Sequence, residues 1–196
     1  SATLSEALEL MWPHAQIRAE LAELFALLSE RITHSQQPLA SHPNVPLQIH
    51  GRYSRIEILA AFGVGDAAKV SPWQTGVWSV KHECADLFAF TLDKSSGSFS
   101  PTTRYRDYAI SRELIHWESQ SVTRADSATG MRYREHAKTG SSIMLFARAS
   151  TNDRSFWFLG PATYVSHESE QPMAIVWRLQ HSLPGDLYAS FAAAVA

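Results

Sequence analysis

The stretch Phe99-Ser-Pro-Thr-Thr-Arg-Tyr-Arg-Asp-Tyr-Ala-Ile-Ser-Arg-Glu-Leu-Ile-His-Trp-Glu-Ser-Gln120 interleaves arginines, hydroxyls and aromatics with single acids. Arginine and small hydroxyl side chains suit phosphate oxygens. Aromatic faces stack on an unpaired base, worth about 1–3 kcal/mol per base. An aspartate accepts from the amino group of cytosine. Arg124, Arg132, Arg134 and Lys138 follow, around a loop expected at 124–140. Residues 99–138 hold seven basic and five acidic side chains, so the positive excess is modest. The same composition fits a sheet wall whose arginines pair with those acids and whose Trp117 is core. The residue types alone leave both readings open.

Catalytic patterns are scarcer. None of the nine histidines stands in a His-Glu-x-x-His pair, and His34, His42 and His50 straddle a proline-rich stretch rather than one ligand face. His136-Ala-Lys138 opens like the His-x-Lys-x4-Asp motif of phospholipase-D-type nucleases, but position 143 is Ile143 where the aspartate is required. Glu135 and Lys138 are one residue too far apart for a Glu-x-Lys nuclease pair. No Gly-x-Ser-x-Gly elbow and no phosphate-cradling Gly-Lys-Thr loop occurs. These absences favour a binding protein over an enzyme, with neither metal nor cofactor.

The elements that would position these residues follow from composition and period. The chain has 196 residues, 45% of them hydrophobic and 18% charged, which is enough to bury a core. Its net charge of −2 does not mark a nucleic-acid binder, so that case rests on local features. The single cysteine, Cys84, excludes an internal disulfide and fits a reducing, cytoplasmic setting. No apolar run approaches the roughly 20 residues of a membrane span. The start is Ser-Ala, without a methionine and without a signal-peptide pattern, and reads as a piece of a larger protein.

Residues 3–33 read as one amphipathic helix, with Ile17, Leu21, Leu24, Phe25, Leu28 and Ile32 on a stripe, five acids and two basic residues. Pro38, Pro43 and Pro46 make 35–48 read as a linker. Ser54 and Glu57 have capping-box spacing, so a short helix is expected at 55–62, closed by Gly63. Arg52 and Arg55 then flank its positive end, a place that suits an anion. From about 76 to 181 the period is two, with strands expected at 76–83, 86–92, 105–110, 114–122, 142–149, 156–160 and 173–181. A small Ala-rich helix is expected at 186–196. The fold class is α+β: a small antiparallel β-barrel with an N-terminal amphipathic helix and a few short helices. The expected division is a helical lead-in and linker at 1–48 and a barrel domain at 49–196.

Several longer runs carry more than composition. His50-Gly-Arg-Tyr-Ser-Arg-x-Glu-Ile-Leu-Ala-Ala-Phe-Gly63, Thr91-Leu-Asp-Lys94 and Phe99 to Ser111 resemble the C-terminal domain of helicases fused to a phospholipase-D-type nuclease. His116-Trp-Glu-Ser-Gln120, Thr129-Gly-x-Arg-Tyr133, Phe158-Leu-Gly-Pro161, Tyr164-Val-Ser-His-Glu168 and Ile175-x-Trp-Arg-Leu179 continue the likeness over about residues 15–185. SauUSI-like type IV restriction enzymes are the instructive members of that family.

The resemblance implies an SRA-like barrel of the PUA superfamily that detects 5-methylcytosine or 5-hydroxymethylcytosine in double-stranded DNA. It implies that nuclease and ATPase reside in other domains of the parent protein, which are then partners of this one. Such readers flip the base into a pocket, because a 5-methyl group is best inspected outside the stack. On that logic Tyr105, Tyr108 and Trp117 are candidate walls and Asp107 the acceptor at the base edge, with Glu118 and Ser119 completing the pocket. Arg52, Arg55, Thr102, Thr103, Arg104, Arg106 and Arg112 are candidate phosphate contacts. Alternation sets Tyr105 and Asp107 on one face of a strand and Arg106 and Tyr108 on the other. Trp73, Trp78 and Trp157 are reserve walls, and core is the simpler reading for them. The competing reading is a docking module or homodimerisation module of a helicase-nuclease, favoured by the acidic helix.

Overall fold

The computed structural model describes residues 3–30, 34–65, 73–92 and 107–195, and separates into two compact units, Ser1–Ser35 and Gln36–Ala196. Residues 93–106 lie outside the described part, and with them Thr102, Thr103, Arg104, Tyr105 and Arg106.

The first unit holds α1 (Leu4–Met11) and α2 (Ala15–Glu30), where one helix was expected from the apolar stripe. Pro13 separates them, since proline has no N–H to continue the ladder. Thr3 and Glu6 form a capping box that starts α1. Arg18, in the first turn of α2, reaches back to the Trp12 carbonyl and lies 5.7 Å over its ring. Leu10, Trp12, Phe25 and Leu27 remain exposed.

The second unit contains, in order, β1 (Gln37–Pro38), β2 (Gln48–Ile49), β3 (Arg52–Ser54), α3 (Arg55–Ala61), β4 (Val77–Val80), a 3-10 turn (Lys81–Glu83), β5 (Ala85–Thr91), β6 (Tyr108–Ala109), β7 (Leu114–Glu118), α4 (Ala128–Arg134), β8 (Ser142–Arg148), β9 (Ser155–Glu168), β10 (Ala174–Leu179) and α5 (Gly185–Val195). The main sheet runs β4-β5-β8-β9-β10-β7-β6, with β3 on β9. Every pair is antiparallel except β5 with β8. Among the described residues β4 and β6 do not pair, so the sheet is open where a closed barrel was expected. The fold is mixed α+β with a mainly antiparallel sheet.

Two cores lie on the two faces of this sheet. Because side chains alternate, Phe88 and Phe90 of β5 and Ile143 and Leu145 of β8 enter one core, with Ile115, Trp117, Ile175, Trp177, Leu187 and Phe191. Leu87, Ala89, Met144 and Phe146 enter the other, against Ile58, Leu59 and Phe62 of α3. Leu39, Val45 and Leu47 also lie in that second core, so the 36–48 stretch read as a linker is part of the compact unit.

β9 has 14 residues where five were expected, at 156–160, because the strand runs on through Gly160-Pro161. Gly160 has φ +91, and a Cβ there would stand 3.2 Å from Cγ2 of Ile49. Only glycine takes that backbone without strain and lets Ile49 approach. The register with β8 shifts beside it, between Leu145 and Phe146. The first part of β9 pairs with β3 and β8, and its last part with β10. One strand thereby joins both ends of the unit.

Candidate nucleic-acid interface

At the end of the sheet where β8 turns into β9, arginines and aromatic rings alternate. Arg52 of β3 sits 5.2 Å over the Trp157 ring, its cross-strand partner. The guanidinium carbons of Arg55 and Arg148 lie 5.3 Å and 4.7 Å from the centroid of Phe156. Arg55 also lies 5.6 Å over Trp73 and donates from Nη1 to the Trp73 carbonyl at 3.2 Å. Arg148 donates from Nε to Oγ1 of Thr91 at 2.8 Å and from Nη1 to the Asp153 carbonyl. Flat guanidinium groups on aromatic faces are held in plane while their outer N–H groups stay available.

The local sequence explains the arrangement. Ser54 and Glu57 cap α3 reciprocally, with Ser54 N donating to Glu57 at 2.7 Å and Glu57 N donating to Ser54 at 3.3 Å. The two hydrogen bonds from Ser54 hold the Glu57 carboxyl below the usual carboxylate range. The cap fixes where α3 begins, and so where Arg55 leaves the backbone. Burial, then the neighbouring Arg148 charge, lowers the Arg55 pKa, and burial lowers that of Arg148. Against these arginines stands Asp153, 3.5 Å from Nη2 of Arg52. Trp73 is buried as core, the simpler of its two readings, while Trp78 and Trp157 are half-buried.

The described residues expected to line a base pocket lie around β6 and β7. Asp107 is only 4% exposed, and its Oδ1 accepts from the Glu118 backbone N at 2.9 Å. Tyr108, on the other face, stacks on His116 of β7 at 4.6 Å with 15° between the rings. It is 37% exposed, so the pair presents an aromatic surface outward. The alternation therefore holds: Asp107 and Tyr108 do not face one pocket. Trp117 does not line an open pocket either. It is 3% exposed and packs 4.5 Å from Phe88 and 5.9 Å from Tyr133. Ser119 is fully buried, exchanging hydrogen bonds with Met173: its N donates to the Met173 carbonyl at 2.9 Å and its Oγ accepts from Met173 N at 2.9 Å. Glu118 is half-buried. Arg112 gives Nε to the Leu183 carbonyl at 2.6 Å and so ties β7 to the lead-in of α5.

Sequence reasoning missed three features. Residues 128–134, placed in a loop, form α4, capped by Ser127 on Gly130 N at 3.1 Å. Asp86 is 1% exposed and pairs with Nε of Arg132 on that helix at 2.8 Å. Burial first, then the Asp86 charge, pushes the Tyr133 phenol up to about 12. Finally, His136 is a clamp: its Nδ1 donates to the Ser141 carbonyl at 3.0 Å and its Nε2 accepts from Tyr164 N at 3.2 Å. Both nitrogens are committed, which leaves no base for catalysis there. A signal for α4 did exist, since Ser127 precedes a run without proline, but Ala128, Thr129 and Gly130 hid the period.

Among the described residues no three His, Cys, Asp or Glu side chains are grouped as metal ligands, and no helix is long and apolar enough to cross a membrane. The sequence profile of a family described as a domain of unknown function (DUF3427) matches residues 47–191, which spans the whole main sheet from β3 to β10. No curated protein matches the chain.

Proposed function

We propose, starting from the fact that the chain belongs to the DUF3427 family, that the unit from Gln36 onward is a DNA-binding module reading 5-methylcytosine or 5-hydroxymethylcytosine for a restriction nuclease. The observation that carries the reading is the arginine–aromatic band of Arg52, Trp157, Arg55, Phe156 and Arg148. Stacked guanidinium groups with outward N–H donors are suited to phosphate oxygens, and phosphate contacts fix a protein on a duplex. In this reading Arg104, Arg106 and Arg112 extend the phosphate contacts. The Tyr108–His116 stack offers its outward face to the base, while the buried Asp107, Trp117 and Ser119 hold the strands from behind. The open sheet is then the SRA-like variant of a PUA-type fold.

Binding of this chain to short duplexes carrying cytosine, 5-methylcytosine or 5-hydroxymethylcytosine tests the reading. Tighter binding to one modified duplex supports it. Equal affinity for modified and unmodified duplexes rejects base reading and leaves a sequence-blind DNA binder.

A docking role has its own observation. Trp12, Leu24, Phe25, Leu27 and Leu28 of the first unit are each between 48% and 68% exposed, a larger apolar surface than isolated side chains make. If that unit docks onto another domain or a second copy of the chain, Phe25→Asp lowers self-association or co-purification and leaves DNA affinity unchanged.

A further inference from the structure

Where β8 turns into β9, three arginines, Arg52, Arg55 and Arg148, gather around two aromatic rings with one carboxylate, Asp153, beside them. Arg55 and Arg148 converge on one ring, Phe156, with their guanidinium carbons within 5.3 Å of its centroid. The Arg148 charge disfavours the charged form of Arg55, a repulsion that a bound anion offsets. Among the described residues the carboxylate that engages this cluster is Asp153, which stands a long 3.5 Å from Arg52 and whose charge also favours the charged form of Arg148, while none pairs with Arg55. Both partners stay well exposed, 46% for the Arg52 side chain and 40% for that of Asp153, so water and salt weaken their attraction. Among the described residues the cluster is also short of acceptors. Nε of Arg55 and Nε1 of the buried Trp73 have no hydrogen-bond partner, although Trp73 lies under Arg55. Buried donors without acceptors are rare in native proteins and call for an explanation.

We propose that Arg52, Arg55 and Arg148 form a phosphate-group site whose occupant is a backbone phosphate of a polynucleotide, and that the Asp153 carboxylate is its internal placeholder. When a phosphate arrives, Asp153 gives up Arg52, and Arg52 turns to the incoming oxygens alongside the outer N–H groups of Arg55 and Arg148. The Trp157 and Phe156 rings keep the three guanidiniums in place through the exchange. This rests on the nucleic-acid reading above for its occupant, but the anion site itself does not depend on base recognition. It also adds Arg148 and Asp153, which the spacing of residues does not reveal, because Arg55 and Arg148 are brought together only by the pairing of β3 and β8 along β9.

Calorimetric titration separates the two claims. Pyrophosphate probes the site, and an unmodified duplex probes its occupant, each against the native chain, Arg148→Gln, Asp153→Asn and Asp126→Asn. Asp126 pairs with Arg124 at 3.1 Å elsewhere on the surface, so its variant changes net charge equally without touching the site. Asp153→Asn is expected to tighten both ligands about threefold, the order of an exposed ion pair released, and Asp126→Asn to leave both within error. Arg148→Gln is expected to weaken both at least tenfold, with a circular dichroism melt showing that the chain is folded. Equal effects of the two aspartate variants overturn the placeholder. Pyrophosphate tightened by Asp153→Asn beside a duplex that binds unchanged overturns the polynucleotide occupant. Pyrophosphate binding that obeys these variants with no duplex binding at all rejects the DNA reading and leaves the anion site standing.

Discussion

Residues with the same chemistry have opposite roles here, and burial decides which. Trp117 and Tyr108 both looked like walls for a flipped base. Trp117 is packed against Phe88 and Tyr133, whereas Tyr108 lies outside on His116. Trp117→Ala is therefore expected to cost about 3–5 kcal/mol in a denaturant titration, as large aromatic truncations in cores do. Tyr108→Ala should change stability by less than about 1 kcal/mol, as surface substitutions do. If Tyr108 stacks on a base, the same variant lowers DNA affinity by about 1–3 kcal/mol. Tyr133 offers a pH test. Its pKa is raised from 10.0 to about 12 in the folded chain, mainly by burial. The unfolded tyrosine ionises first, so the stability is fully present below pH 10 and is lost as pH rises towards about 12. The denaturation midpoint should fall over that window, and fall less steeply in Tyr133→Phe. That Asp107 and Tyr108 take opposite faces was legible in the sequence. Which face was covered was not, because that depends on β7 and β10 arriving beside it.

Elements with a local start signal were legible, and those defined by distant partners were not. The Ser54–Glu57 capping box placed α3 to within one residue, since cap and helix lie within four positions. The strands at 86–92, 142–149 and 173–181 were read closely from alternation and match β5, β8 and β10, whereas the one expected at 114–122 stops at Glu118 in β7. β9 was cut at its midpoint because Gly160-Pro161 has the composition of a turn. Its continuation depends on Ile49 filling the space above Gly160. Gly160→Val should therefore destabilise the unit, with cleavage by a protease at 155–168 as a sensitive readout. α4 is held from outside by Asp86. Arg132→Met leaves that buried carboxylate without its partner and should cost about 2–3 kcal/mol, less than a fully buried pair because the Arg132 side chain is 41% exposed. A melting temperature unchanged in this variant would show that Asp86 finds another partner.

At the scale of the whole chain, the two units have different surfaces. The helical unit is acidic and apolar, and the sheet unit carries the arginine–aromatic band and the family match. The compact boundary falls at 35/36 rather than at 48, because Leu39, Val45 and Leu47 are buried in a core that prolines alone do not disclose. A chain starting at Gln36 should fold with the same near-ultraviolet circular dichroism and keep its DNA affinity, whereas one starting at Ile49 should lose stability. The net charge of −2 averages an acidic helical unit with the arginines of the sheet unit, so it does not report on either surface. The most direct measurement is binding of the native chain to matched duplexes with cytosine, 5-methylcytosine or 5-hydroxymethylcytosine at two salt concentrations. The account predicts an affinity that falls with salt through its phosphate contacts, and a preference for one modified duplex that persists at both concentrations. Affinity equal for all three duplexes, or absent for all, would contradict it.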